Sequence, residues 1–278
     1  MSLKLMYITN NPQVAVIAQK YGVDRIWVDL ETLGKEERQG HIDSVKSHHS
    51  VEDIKKIVPL LDRSEMLVRV NPLNAKSAEE INAVIDAGAD LVMLPMWKNE
   101  EDVKVFIKLV DGRAKTVLLL ETREAVEALN EVVKVDGVDE IHIGLNDLHL
   151  SYGKKFMFEL LTDGTVEYLC KKLQQANIPY GFGGIAKLGE GLLSAEKIIM
   201  EHYRLGSSRV ILSRSFCNVS MLENMKDVDR VFCENIEKLR RYELSMKNVT
   251  KQEFIRNKKN IKGLVDEIVK CNDNKIIK

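Results

Sequence analysis

The sequence predicts an α/β fold, a (β/α)₈ TIM barrel with a C-terminal helical extension. Eight short apolar runs, rich in β-branched residues, fall within the first ~215 residues and alternate with stretches of helical spacing. Runs that are apolar throughout indicate a parallel sheet covered on both faces. The rival is a doubly wound open sheet. The count of eight and the lack of a G-x-G-x-x-G motif after the first run favour the barrel.

The eight predicted strands follow one another along the chain. They are residues 3–8, 25–30, 66–70, 91–95, 116–121, 140–144, 180–184 and 209–213. Helix signals lie between them: Pro12 just inside a start, Ser77 and Asn99 before acidic first turns, and Gly22 and Gly88 near the ends. Two connections are long, 31–65 and 145–179. In a barrel such length usually lies over the catalytic face.

The predicted domain organisation is one barrel followed by helices. The barrel spans residues 1–216, and residues 217–278 form C-terminal helices and a basic tail. The stretch 228–246 is strongly periodic. We expect this extension to pack on the barrel or on a neighbouring subunit.

Composition limits the partners and the compartment. A net charge of −1 gives no reason to expect nucleic acid or an anionic membrane as a partner. No run approaches the ~18 apolar residues of a membrane helix. The four cysteines show no paired or metal-ligand spacing, so we expect reduced thiols and a cytoplasmic protein.

Two carboxylates follow neighbouring strands of the predicted barrel. Glu121 ends the fifth strand, and Asp147 follows the sixth. Because adjacent strands lie ~4.8 Å apart, both side chains can reach one ion. Carboxylate oxygens completed by water and substrate suit Mg²⁺ or Mn²⁺. Taken singly, each residue has a structural alternative: Glu121 could precede a helix start, and Asp147 could cap a turn.

Arg69 lies inside a predicted barrel strand. A buried guanidinium needs an anion nearby. The anion could be Glu31 or Glu121 in an internal salt bridge. We favour the alternative, bidentate capture of a substrate carboxylate or carbonyl, and the two can coexist.

Four segments and the final strand show a pattern shared with one family. The segments are DRIWVDLE, VRVNPL, AGADLVMLPM and LLETREAVEALNEVVKVDGVDEIHIGLNDL. Together they resemble the HpcH/HpaI aldolase/citrate lyase family of phosphoenolpyruvate/pyruvate-binding barrels. The resemblance covers roughly residues 5–216 and is densest over 118–148.

This resemblance implies the site and its chemistry. Glu121 and Asp147 match the residues that hold Mg²⁺, Mn²⁺ or another divalent cation, and Arg69 matches the arginine that polarises the oxo group. The backbone of Gly144, Leu145 and Asn146 would hold the carboxylate of the oxo acid. The implied activity is a metal-dependent carbon–carbon lyase of the aldolase type. It would act through a metal-bound enolate of pyruvate or a related 2-oxo acid, with an aldehyde or acyl partner, in a homo-oligomer. A Schiff-base route is disfavoured, since Lys98 and Lys115 are badly placed for it.

The chain also departs from the family pattern. The histidine that relatives carry after the acidic residue of strand two is absent, because Thr32 follows Glu31. His41, His48 or His49 in the same connection could replace it as general acid or base. The alternative is a surface loop that happens to contain histidines. Position 145 is Leu where relatives usually have Pro.

Other readings of the glycine-rich segment and of the function stay open. Gly183, Gly184, Lys187 and Arg214 could bind a phosphorylated substrate, or the glycines could only permit a turn. We expect His142 at the barrel wall. The protein could also be a superfamily enzyme acting on a different bond, or a non-catalytic barrel that binds metal and oxo acid.

Overall fold

The computed structural model of the chain describes residues 2–34 and 49–276, with side chains described up to residue 271. Eight parallel strands form a closed barrel in which each strand pairs with the next and β8 pairs with β1. The strands are β1 Lys4–Ile8, β2 Arg25–Asp29, β3 Glu65–Arg69, β4 Leu91–Leu94, β5 Lys115–Leu120, β6 Glu140–Ile143, β7 Tyr180–Ile185 and β8 Arg209–Leu212. The predicted fold is confirmed, and every bound agrees with the prediction to within one residue.

Eleven α-helices lie in the described parts of the chain. They are α1 Pro12–Lys20, α2 Val51–Ile57, α3 Ser77–Asp86, α4 Glu100–Val110, α5 Arg123–Val132, α6 Leu145–Ser151, α7 Glu159–Thr162, α8 Thr165–Gln175, α9 Ala195–Arg204, α10 Met225–Ser245 and α11 Lys251–Ile276. Local capping explains several starts, since Asn11, Asn99 and Thr122 each accept amide hydrogen bonds from the first turn that follows. Three helices, α6 to α8, occupy the long connection after β6.

The inside of the barrel is arranged in three layers. At the N-terminal ends of the strands, Glu140 accepts two hydrogen bonds from Arg25 (2.6 and 2.7 Å) and two from Arg209 (2.6 and 2.8 Å). Apolar side chains fill the middle: Met6, Trp27, Leu67, Leu91, Met93, Val117 and Leu119. Charged side chains return at the carboxyl ends, where the barrel opens. This alternation follows from the period of two along each strand.

The C-terminal helices pack on the barrel of the same chain. On α10, Phe232 meets the ring of Tyr7 edge-on, with ring centroids 5.0 Å apart. Glu243 accepts a hydrogen bond from the backbone of Leu3 (2.7 Å), and Asp229 pairs with Lys20 (2.8 Å). The last helix, α11, lies against α7 and α9. Within the described residues, no helix has the length and apolar character to cross a bilayer.

Candidate active site

A cavity of about 580 Å³ opens at the carboxyl ends of the strands, and we call it the mouth pocket. Its floor is apolar or aromatic and includes Trp27 and Leu119. Ionisable side chains stand along one side: Asp29, His49, Arg69, Glu121 and Asp147. Polar side chains face them from the β1 and β8 ends: Thr9, Asn10, Arg214, Asn218 and Ser220. The strand-end residues singled out in the sequence therefore share one pocket.

Arg69 is held by two carboxylates. Its Nε and Nη2 donate to the two oxygens of Asp29, both at 2.8 Å, and its Nη1 lies 3.1 Å from Glu31 Oε2. The guanidinium also lies 5.4 Å from the ring centre of Trp27. Burial tends to lower the pKa of Arg69, but the charges of Asp29 and Glu31 raise it, so the side chain stays cationic.

This pairing decides between partners that the sequence left open. Glu31 was one of the two anticipated partners of Arg69. Asp29, which was not among the anticipated partners, makes the bidentate contact. Glu121 acts on Arg69 through its charge. A barrel register that places residue 29 directly beside residue 69 explains the pair.

Glu121 directly follows β5 and is 2% exposed. Its Oε1 accepts a hydrogen bond from the backbone of Met96 (3.1 Å), a residue with a φ of 54°. Gly144 lies so close that a Cβ there would come within 2.9 Å of Glu121 Cβ and 3.0 Å of its Oε2. The glycine thus lets the backbone after β6 approach the carboxylate.

Asp147 lies in the first turn of α6 and is also buried. Burial raises the pKa of Glu121 well above its usual range, and the nearby charge of Asp147 raises it further, while Arg69 opposes the shift. The two acids therefore lie close enough that the charge of Asp147 opposes the ionisation of Glu121.

The donor set suits a hard divalent cation. Among the described residues, no three or more His, Cys, Asp or Glu side chains are grouped so that they could hold a metal, so the ligand set would rest on the two carboxylates. Two carboxylates leave the other positions to water and substrate oxygens, as Mg²⁺ commonly requires. The residues present fit such an ion.

The turn before Asp147 offers fewer amides than the sequence suggested. The Gly144 N–H donates to the carbonyl of Leu120 (2.9 Å), which continues the β5–β6 ladder. Leu145 and Asn146 begin α6, where first-turn amides have no partner within the helix. Of the three predicted amides, that of Gly144 is therefore engaged in the ladder, and those of Leu145 and Asn146 lie in the first turn of α6.

The histidines separate into different roles. His41 and His48 lie outside the described residues. His49 lines the mouth pocket, and its Nδ1 accepts a hydrogen bond from the backbone N–H of Asp29 (3.0 Å). A neutral ring held in this way carries its proton on Nε2. A neutral His49 held in this way has no ring lone pair left to act as a general base.

His142 and His149 are both bound to carbonyl oxygens. His149 Nδ1 lies 3.1 Å from the carbonyl of Leu145, inside its own helix. His142 lines the floor of the mouth pocket and contacts Gly183. In the glycine-rich segment, Lys187 pairs with Glu190 (3.5 Å), while Arg214 lines the pocket.

A family model matches residues 4–159, more than half of the chain; its description is HpcH/HpaI aldolase/citrate lyase. The chain belongs to this family. The resemblance seen in the sequence is confirmed. The HpcH/HpaI family is of lyase and aldolase type and generally depends on a divalent metal.

Solved structures show the same fold. An HpcH/HpaI aldolase from Desulfitobacterium hafniense DCB-2 is similar with a TM-score of 0.63 and 16% identity, over 83% of this chain and 93% of that one. An HpcH/HpaI aldolase/citrate lyase family protein from Burkholderia cenocepacia J2315 gives 0.60 and 13%, over 82% and 95%. A variant of the citrate synthase SbnG gives 0.57 and 18%, over 76% and 85%. No curated protein matches the chain.

Three contributions to the site escaped the sequence. These are the bidentate contact of Asp29 with Arg69, the Met96 amide on Glu121 and the close approach of Gly144. The first had a signal, since residues 29 and 69 end adjacent strands. The other two depend on backbone placement that residue types do not reveal.

Proposed function

We propose that the protein is a divalent-metal-dependent carbon–carbon lyase of the aldolase type, acting on pyruvate or a related 2-oxo acid. The observation that supports this most is the pair of buried carboxylates, Glu121 and Asp147, beside a buried guanidinium in one pocket. A divalent cation bound there would supply a Lewis acid that withdraws charge from the oxo acid.

Glu121, which follows β5, and Asp147, in the first turn of α6, would hold that cation with their buried carboxylates. Asp29 and Glu31 hold Arg69 in place, so its guanidinium would be preorganised to stabilise negative charge on the oxo oxygen. The amides of Leu145 and Asn146 would bind the carboxylate of the acid. His49 would donate a hydrogen bond from Nε2. His41 stays a predicted acid or base.

The partner substrate would occupy the rest of the mouth pocket. A cavity of about 580 Å³ has room for more than a three-carbon acid, since pockets of ~300–1,000 Å³ take up drug-sized ligands. The polar side chains opposite Glu121 suit an aldehyde or acyl compound with oxygen substituents.

The test is proton exchange of pyruvate in D₂O, followed by NMR with and without Mg²⁺ or Mn²⁺. We expect metal-dependent exchange that falls by ~10²-fold or more in Asp147→Ala, since loss of charge stabilisation at the reacting group has effects of this size. Glu124→Gln is the matched control: this carboxylate lies three residues beyond Glu121 and is exposed. An exchange rate that is the same with and without the metal, or that is unchanged in Asp147→Ala, contradicts the proposal.

A second candidate is a non-catalytic barrel that binds metal and oxo acid. The hydrogen bond from the Asp29 N–H to His49 Nδ1 favours it, because a neutral ring held in this way has no lone pair left to act as a base. Tight binding of Mn²⁺ and pyruvate without any exchange in D₂O would select this candidate.

A further inference from the structure

Strand β7 contains a bulge beside the candidate metal site. Its register with β8 shifts within the strand: Gly181 lies opposite Arg209, and Gly184 lies opposite Ile211. Between these two pairs β7 therefore advances by three residues and β8 by two. Gly183 in the bulge has a φ of +52°, a conformation that L side chains rarely adopt. Bulges of this kind re-aim backbone groups next to active sites.

The carbonyl of Gly183 meets a buried histidine. His142 Nε2 lies 3.2 Å from this oxygen. Because a carbonyl can only accept, the neutral ring must carry its proton on Nε2. Burial lowers the pKa of His142 to about 4, with the charges of Arg209 and Arg25 adding to the shift, so the ring stays neutral near pH 7. The interaction is therefore a permanent donor contact that ties β6 to the bulge.

The bulge in turn sets the start of α6. A Cβ on Gly183 would come within 2.8 Å of Leu145 Cδ1, so the Leu145 side chain packs directly on this glycine. Leu145 is 1% exposed and opens the helix whose first turn carries Asp147. Contact thus runs from His142 through Gly183 to Leu145, two residues before a candidate metal ligand.

We propose that His142 is a positioning residue that fixes the carboxylate of Asp147 through the Gly183 bulge and Leu145. His142 Nε2 donates a hydrogen bond to the Gly183 carbonyl and so holds the bulge in place. Leu145, the first residue of α6, packs on this bulge. The expected change in Mn²⁺ affinity rests on the proposed function. The expected change in hydrogen exchange at the start of α6 does not.

The test compares three variants with the parent protein. His142→Gln keeps a donor nitrogen as many bonds from Cβ as Nε2, whereas His142→Phe keeps a ring without a donor. Gly183→Ala perturbs the bulge itself, because the added methyl group would clash with Leu145. We expect Mn²⁺, titrated by electron paramagnetic resonance, to bind ~10–100-fold more weakly to His142→Phe and Gly183→Ala, a usual loss for supporting residues of a metal site. His142→Gln should recover most of the affinity. Leu173→Ala, a buried change on α8, is the control for a general loss of stability.

Two further measurements keep the two proposals apart. In the metal-free parent, ¹⁵N spectra of labelled histidine should show His142 neutral with the proton on Nε2. Hydrogen exchange over 144–151 should quicken in His142→Phe and not in Leu173→Ala. Unchanged exchange, or equal Mn²⁺ affinity in the Phe, Gln and parent proteins, overturns the inference while the proposed function stands. If Asp147→Ala still binds Mn²⁺ normally, the proposed function fails, and the exchange experiment still decides the role of His142.

Discussion

The ion-pair networks at the two ends of the barrel carry opposite imbalances of charge. In the network at the N-terminal end four cations surround two acids: Lys4, Arg25, Lys115 and Arg209 pair with Glu65 and Glu140. At the carboxyl end buried carboxylates accompany one largely buried guanidinium: Asp29, Glu31, Glu121 and Asp147 with Arg69. Direct hydrogen bonds satisfy both oxygens of Glu140, whereas Glu121 is left beside a like charge.

The difference separates stability from chemistry. A buried charge pair with complete hydrogen bonding is a structural element whose disruption is costly. A buried carboxylate with a raised pKa beside another acid is typical of a site that waits for a ligand. The general rule that barrels place stability at one face and catalysis at the other thus has a visible electrostatic basis here.

Breaking the N-terminal network should have the largest effect. Glu140→Gln leaves the buried Arg209 without its counter-charge and Arg25 with Glu65 alone, so we expect a loss of about 3–5 kcal/mol in the free energy of unfolding. Chemical denaturation measures it, with the exposed Glu131→Gln as control, for which a change within about 0.5 kcal/mol is expected. A loss below about 1 kcal/mol would show that the network is not structural.

A fall in pH should change the stability contributions of the two ends of the barrel in opposite directions. Although burial opposes ionisation, hydrogen bonds from Arg25 and Arg209 lower the pKa of Glu140 to about 2. Its contribution, on the order of 3 kcal/mol, is complete above the unfolded pKa near 4.5 and is lost as pH falls toward 2. His142, with its pKa lowered to about 4, adds a loss between pH 6.5 and 4.

The contribution of Glu121 to stability has the opposite dependence on pH. Its raised pKa means that the folded protein binds the proton more tightly, so its ionisation costs stability as pH rises above about 4.5. Urea titrations of the metal-free protein between pH 3 and 8 should therefore show the acid loss shrink in Glu140→Gln. In Glu121→Gln the decline toward high pH should disappear. Identical pH profiles in parent and variants would refute the assignment.

Removing a charge from the carboxyl end should stabilise the protein. Glu121→Gln keeps an oxygen for the Met96 amide and relieves repulsion with Asp147, so we expect a gain of about 0.5–2 kcal/mol without metal. The same variant should lose Mn²⁺ binding. Thermal unfolding with and without Mn²⁺ measures both effects, and a destabilised variant would contradict the comparison.

The smallest effect is expected at the rim of the N-terminal end. Lys115 pairs with Glu65 at 2.7 Å, but its side chain is 54% exposed. Lys115→Gln should change the free energy of unfolding by at most about 1 kcal/mol, less at high salt. A larger effect would mean that the network extends to the surface.

The sequence predicted the fold well because strand periodicity and helix signals are local. It also placed Glu121, Asp147 and Arg69 in one pocket, since parallel strands bring their carboxyl ends together. It could not predict the Met96 amide on Glu121, nor that the ladder already uses the Gly144 amide, because both depend on backbone geometry in the loops.

The histidines show a second limit of residue types. His41 and His49 were both candidates for proton transfer from their presence in one connection. Which nitrogen of His49 carries the proton depends on the backbone amide it faces, and the sequence holds no local signal for that contact.

The tether of His49 is made by main chain. Since the Asp29 amide is the donor, any residue except proline at position 29 would keep the imidazole in place. Replacement of Asp29 would remove the bidentate contact with Arg69, which would then keep Glu31 alone, while the main-chain hydrogen bond to the ring would persist. The two halves of this wall of the pocket can therefore diverge separately among relatives.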